Sequence, residues 1–350
     1  MTPLGERLAA RIAAHGPVTL ADYMATALMD PEHGYYATRD PFGQAGDFIT
    51  APEISQMFGE LVGLWLAQVW QDQGAPAGVV LAEAGPGRGT LMADVLRATR
   101  AVPGFRDAVA VHLVETSATL REAQAQRLPG ATWHDDIGTL PEGPLLLVAN
   151  EFLDALPVRQ FVRRPEGWAE RVVTVQGGRL ALALAATAPP PAVMTRDVPP
   201  GTVIEHCPAL PGIVGAIGAR IARHGGAALF IDYGEDGGTG DTLQALRAHR
   251  PVDPLAEPGL ADLTAHVDFA AIARAAPPAR ASAVVPQGAF LERLGITARA
   301  RTLAAGLSGA ALDDHVAAHR RLTHPGEMGR LFKVIGLAPP DAPPLPGLEP

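Results

Sequence analysis

The 350-residue chain carries a formal net charge of −9, 47% hydrophobic and 19% charged residues. It is long enough to bury a full core, and it lacks the positive charge from which binding to a nucleic-acid backbone draws its affinity. Its one cysteine, Cys207, excludes an intramolecular disulfide and any cysteine-rich metal cluster, and suits a reducing, cytoplasmic setting. Acidic residues interrupt the N-terminal stretch from Glu6 onward, which argues against a signal peptide, and no segment reaches the roughly 18 to 20 apolar residues of a membrane span.

In chain order, Leu4, Leu8, Ala9 and Ile12 share one face of a first predicted helix, and Thr19 with Asp22 opens a second. The stretch "MDPEHGYYATRDPFGQAGDFITAPE" then breaks the periodicity over a length typical of functional loops. Thr50 and Glu53 have capping-box spacing ahead of a helix whose apolar face is Ile54, Phe58, Leu61, Val62, Trp65 and Val69. From Val79 the pattern alternates: strand "VVLAEA", helix "LMADVLRATR", strand "AVAVHLVE", helix "SATLREAQAQRL", a short "ATWHDD", then strand "PLLLVANE". Such alternation predicts an α/β fold with a doubly wound, mostly parallel sheet.

After Glu151 the alternation stops. "VRQFVRRPEGWAERVVTVQGGRLALAL" reads as antiparallel strands, with turns at Pro165-Glu166-Gly167 and Gly177-Gly178. A helix around Ile213 to Arg223, a buried strand "AALFIDYG" and a glycine-rich loop from Gly234 to Gly240 follow. The last third holds further helices, a weak strand near Ala283 to Val285 and a final strand "RLFKVIGLA". The tail "PPDAPPLPGLEP" is expected to be disordered or extended.

The chemistry concentrates in "AEAGPGRGTL". A phosphate-binding P-loop needs G-x-x-x-x-G-K-[ST], and neither the spacing nor the lysine is present. A dinucleotide fingerprint fits Gly85 and Gly87, but its third position falls on Thr90, and the carboxylate of Glu83 would repel pyrophosphate. The pattern is E-x-G-x-G-x-G, Glu83 through Gly89. A carboxylate there suits a ligand with a cationic loop-facing part, and S-adenosylmethionine, with its sulfonium and ammonium groups, is such a ligand. Glu115 ends the second strand, where an acid can accept hydrogen bonds from two ribose hydroxyls; its alternative is a helix N-terminal acid favoured by the macrodipole. After the third strand, Asp135 or Asp136 is a candidate for the adenine amine, with Ile137 packing on the ring; a solvated acidic turn is the alternative. Asn150, Glu151 and Asp154 fall at the carboxyl edge of the fourth strand, where open α/β sheets bind ligands. The scattered histidines lack metal-ligand spacing, so no metal is expected.

The segments "PEHGYYATRDPFGQAGDFITAPEISQMFGE", "LAEAGPGRGTLMADVLRA", "ANEFLDALPVRQF", "IDYG" and "HPGEMGRLFKV" together resemble the MidA family of class I S-adenosylmethionine-dependent methyltransferases. The resemblance runs roughly from Leu4 to Ala338, and the first and third segments are its most specific parts. The family loop usually has leucine where this chain has Ala84. The resemblance implies a Rossmann-like sheet of seven strands with helices on both faces, an N-terminal helical extension and inserted antiparallel strands. It also implies S-adenosylmethionine as cofactor and, as in the mitochondrial members, a protein arginine as acceptor, with a respiratory complex I subunit as the candidate partner. An N-terminal extension with a substrate-side loop would occupy residues 1–75 and the methyltransferase domain 76–338, with an insertion at about 155–210, a lid-like loop region at 234–270 and a tail at 339–350.

In methyl transfer the acceptor must present a lone pair along the S–CH₃ axis, so positioning and electrostatics supply most of the catalysis. A guanidinium acceptor would need carboxylates to orient it through forked hydrogen bonds. Glu151, Asp154 and then Asp47 are the candidates for this catalytic role, while Glu83, Gly85, Gly87, Gly89, Glu115, Asp135, Asp136, Ile137 and Asn150 are the candidates for cofactor binding. Glu53 is accounted for by its capping position. Two further functions stay open: an assembly or binding factor that keeps the fold with little activity, and a methyltransferase acting on a small molecule.

Overall fold

A computed structural model describes residues 1–38, 50–235, 237 and 239–349. The chain divides into two compact units, each assembled from three separate segments.

The larger unit takes Ile49–Leu153, Pro211–Asp236 and Val267–Pro350. Its sheet is built on β1 (Val79–Ala84), β2 (Val109–Val114), β3 (Thr132–His134), β4 (Leu145–Asn150), β5 (Gly226–Glu235) and β6 (Phe332–Ala338). The spatial order from one edge is β3-β2-β1-β4-β5-β6, with the bridge Arg280–Ala281 beyond β6; two further two-residue strands bring the sheet to nine. β1 to β5 run parallel, and β6 returns antiparallel against β5. β1 and β4 are buried on both faces, which is why they read as unbroken apolar runs rather than alternating ones. Four helices frame them: α1 (Gln56–Asp72), α2 (Thr90–Ala98), α3 (Ala118–Arg127) and α4 (Leu210–His224). Phe58, Leu61, Val62, Trp65 and Val69 of α1 enter the core as their spacing predicts.

One expectation fails in this unit. Thr50 and Glu53 do not form a capping box: Thr50 makes no side-chain cap to the short helix Ala51–Ile54, and α1 begins afresh after Ser55, whose hydroxyl accepts from the Met57 N–H at 3.2 Å. The Glu53 carboxylate turns instead to the Thr90 hydroxyl, which donates to it. Of the two forms expected for the tail, disordered or extended, residues 339–349 take the second, with no helix or strand, and they are docked. Leu345 and Leu348 are buried in the main core, Pro346 O accepts from Trp65 Nε1 at 2.9 Å, and Gly347 O accepts from Arg293 at 3.0 Å. Proline fixes the extended backbone, and two leucines in it suffice to anchor it.

The smaller unit takes Met1–Phe48, Asp154–Leu210 and Gly237–His266. The turn signals place its strands well: Arg159–Arg164, Gly167–Gln176 and Arg179–Ala186 form an antiparallel meander, joined by Val18–Thr19 and Val203–His206. Helices Pro3–His15 and Leu20–Met29 contribute Leu4, Leu8, Ile12, Tyr23 and Met24 to a core with Val173 and Leu180. Thr19 caps the second helix, accepting from the Asp22 N–H at 3.0 Å. The region expected to be a lid-like loop contains a small antiparallel sheet of Gln244–Arg247, Arg250–Val252 and Asp262–Thr264. Cys207 packs partly buried against this unit's core, and burial pushes its thiol up.

Candidate cofactor and active site

β1 delivers the chain into a loop in which Gly85, Gly87 and Gly89 all have left-handed backbone, with φ of 65°, 51° and 76°. Glycine adopts this region at no steric cost, and two of these positions also lack room. A Cβ on Gly85 would come within 2.9 Å of Phe152 Cδ2, and one on Gly89 within 3.0 Å of Leu128 Cδ1. The loop is tied at both ends: Gly85 N–H donates to Val114 O at 3.1 Å, and Gly89 N–H to Pro86 O at 2.7 Å. Gly89 is the N-cap of α2 and makes no side-chain cap, so it leaves first-turn N–H groups of that helix near the loop. Thr90, the first residue of α2, is held by two neighbours, receiving a hydrogen bond from Arg127 Nη1 at 2.6 Å and donating to Glu53.

Glu83 is 3% exposed in β1, and burial raises its carboxyl to about 8, with the Met92 backbone N–H working in the opposite direction. Its Oε2 has no hydrogen-bond partner among the described residues, and neither has Oδ1 of the buried Asn150 at the end of β4. Glu83 pairs with Val148 across the strands, so Asn150, two residues further, projects from the same sheet face. Two buried acceptor atoms therefore lack a donor on one face at the carboxyl ends of adjacent strands. An unsatisfied buried acceptor costs about 1–3 kcal/mol, so the arrangement fits a ligand that brings N–H groups. An ammonium supplies three of them on a positive charge. These residues thus fit the methionine end of S-adenosylmethionine.

Glu115 follows β2. Burial raises its carboxyl, against the N–H groups of Ser117 and Thr116, Gln124 and the Arg121 charge. Oε1 accepts from the Ser117 N–H at 2.8 Å, the helix N-terminal role weighed for it, while Oε2 has a long contact of 3.4 Å from Gln124 Nε2. Oε2 therefore keeps accepting capacity. Asp135 is exposed and paired with Arg121 at 2.6 Å, and Asp136 caps the turn Ile137–Thr139 by accepting from the Gly138 N–H at 2.6 Å. Ile137 is half-buried and lines a cavity of about 270 Å³ with Leu140, Leu145, Ile217 and Arg220.

Glu151 is one of four non-glycine residues with positive φ among the described residues, at 51°. Such backbone is sparsely populated and clusters at functional sites. Its Oε1 accepts from the Ala51 N–H at 3.0 Å and from Asn150 Nδ2 at 3.1 Å, which fixes the Asn150 amide with its unpartnered oxygen turned away. Asp232 supports the segment from β5, accepting from the Leu153 N–H at 2.9 Å. Asp154 falls in the smaller unit, buried there, where its charge helps to raise the Tyr36 hydroxyl, although burial contributes more. Asp47 lies outside the described residues. Gln124, Glu53 and Trp133 join the site without having been foreseen. Only Gln124 had a readable signal: it sits on one helix face between Leu120 and Leu128, a polar residue in an apolar stripe.

A parallel sheet closed by an antiparallel last strand, with a buried carboxylate ahead of the glycine loop after its first strand and an acid after its second, has the make-up of a class I methyltransferase rather than of a dinucleotide fold. The chain belongs to the MidA family: residues 61–286 match the family described as "Putative S-adenosyl-L-methionine-dependent methyltransferase". It is 38% identical to the mouse protein arginine methyltransferase NDUFAF7, mitochondrial, over 97% of this chain and 85% of that protein. The Drosophila melanogaster homologue is also 38% identical, over 96% and 85%. Among solved structures, a COG1565 superfamily member from Burkholderia thailandensis bound to S-adenosyl-homocysteine superposes with a TM-score of 0.85 at 31% identity, covering 98% of this chain and 94% of that one. The protein is an S-adenosylmethionine-dependent methyltransferase.

Proposed function

We propose that the protein transfers the methyl group to a guanidine nitrogen of an arginine in a protein acceptor, with a subunit of respiratory complex I as the first candidate. The observation that carries the cofactor half is the pair of buried, donor-seeking atoms Glu83 Oε2 and Asn150 Oδ1 beside the glycine loop. They receive the ammonium, the loop N–H groups the carboxylate, Glu115 the ribose diol, and the segment Asp135 to Ile137 the adenine. Once bound, S-adenosylmethionine supplies an electrophilic methyl group on sulfur.

The acceptor half is supported by the relatives named as protein arginine methyltransferases and by Glu151. Its carboxylate is held from behind by Ala51 N–H and Asn150 Nδ2, so its orientation is fixed before any acceptor arrives. A fixed carboxylate orients a guanidinium and stabilises the cationic product by a charge-assisted hydrogen bond. Asp154 and Asp47 are the further candidate acids by their sequence motifs alone.

The test is incubation of the purified protein with methyl-labelled donor and extract from cells lacking its gene. Label should appear in a protein band and, after hydrolysis, in methylarginine; label found only in small molecules would refute the proposal. Glu151→Gln should lose transfer by about 100-fold, the scale of one lost transition-state contact, while binding S-adenosylhomocysteine within a few-fold of the wild type. Unchanged transfer would remove Glu151 from the mechanism.

A further inference from the structure

Gln124 is a fully buried polar side chain on α3, and each polar atom of its amide has a partner in the cofactor region. Its Nε2 donates to Gly87 O at 2.6 Å and lies 3.4 Å from Glu115 Oε2, while its Oε1 accepts from Trp133 Nε1 at 2.8 Å. Trp133, on β3, can only donate, so it decides which way the amide faces. With Oε1 taken, the NH₂ group must point at the loop and at Glu115. One donor group thus spans the middle glycine of the loop and the acid after β2. The Gly87 carbonyl, held this way, turns its peptide plane toward α3. Leu128, the residue that caps the end of α3, packs on Gly89.

We propose that Gln124 is the positioning residue of the cofactor site: it locks the Gly87 peptide and the Glu115 carboxylate in one arrangement, so that the methionine and ribose ends of the cofactor are received together. The inference rests on the cofactor reading above, and it gives the buried glutamine a role that packing alone would not require. A leucine would fill the same space without two polar atoms to satisfy. The functional signature is a loss of cofactor affinity with little loss of fold.

The test is calorimetric titration with S-adenosylhomocysteine. Gln124→Glu is nearly isosteric and can still accept from Trp133, but once ionised it donates to nothing and faces the Glu115 carboxylate. The charged groups around position 124 are Glu115, after β2, Arg121 and Arg127, on α3, and Asp135, which pairs with Arg121. At pH 8 the variant should bind about 10- to 100-fold more weakly than the wild type, the scale of one to two lost charge-linked hydrogen bonds. At lower pH the two facing carboxylates share a proton, whose O–H again donates, so the ratio of variant to wild-type affinity should recover toward pH 6. A thermal midpoint close to the wild type's would exclude general unfolding as the cause. Wild-type affinity at pH 8, or a loss of the same size at every pH, would overturn the proposal. If Gln124→Glu does not fold, Trp133→Phe frees the amide to flip and should weaken binding about 3- to 10-fold; unchanged affinity there would overturn it equally. Wild-type protein that fails to bind S-adenosylhomocysteine would instead defeat the cofactor reading.

Discussion

Glu83 separates a methyl-donor site from a phosphate site, and its burial makes that difference measurable. With its carboxyl raised to about 8, it carries a proton at pH 7 until a cation arrives. Binding an ammonium favours the charged form, so S-adenosylhomocysteine should displace about one proton at pH 7, falling toward none by pH 9. Calorimetry in buffers of different ionisation enthalpy reads this number, and zero at pH 7 would contradict the contact. The same shift acts on stability. The folded pKa lies above the unfolded value, so the contribution is fully present below about pH 4.5 and is lost as pH rises through about 8. Glu83→Gln, which cannot ionise, should therefore make the ligand-free protein more heat-stable at pH 8 while weakening ligand binding. Glu83 was legible because a carboxylate before three glycines is anomalous for phosphate. Gln124 left a weaker trace, one polar residue in the stripe from Leu120 to Leu128 of an otherwise polar helix, and Glu53 had a sufficient local explanation that the fold overrode.

Elements were legible where their periodicity is strong, and the failures have local causes. The hairpin from Gln244 to Val252 turns through Ala248 and His249, both with positive φ, at 48° and 59°. Hairpin turns of this kind normally carry Asn-Gly or Asp-Gly, so the sequence offered no turn signal. The docking of the tail gave no signal, because its proline content outweighs two leucines in any compositional reading. Their seat is built into β6: a Cβ on Gly336 would lie 2.4 Å from Leu345 Cδ1 and 2.8 Å from Leu348 Cδ1. Leu348→Ala should cost about 2–5 kcal/mol, the range for truncating a buried leucine, and Gly336→Ala about 1–3 kcal/mol by overpacking. Thermal unfolding checks both. A midpoint unchanged in both variants would mean that the tail does not dock.

Over the whole molecule, the larger unit was legible because strand and helix alternate with different apolar periods along one stretch from Val79 to Glu151, whereas in the smaller unit the turns marked the meander but nothing marked that its strands share a unit with the N-terminal helices and the 237–266 segment. The parallel sheet cannot close early: β4 pairs with β5, whose first residue, Gly226, comes after the second segment of the smaller unit has been made. Every cofactor-binding candidate, by contrast, belongs to the larger unit, spread from Glu83 to Asn150. Ligand binding should therefore be felt unevenly. At a hundredfold excess over its dissociation constant, S-adenosylhomocysteine should stabilise the folded form by about 2.7 kcal/mol, visible as a raised unfolding midpoint. Hydrogen exchange locates the gain: amides of the glycine loop, the Glu115 to Ser117 turn, the Asp136 turn and the end of β4 should slow most. The β-meander from Arg159 to Ala186 contains none of the binding candidates and should change least. Protection greatest in that meander, with the glycine loop unaffected, would move the cofactor out of the larger unit and refute the site built around Glu83.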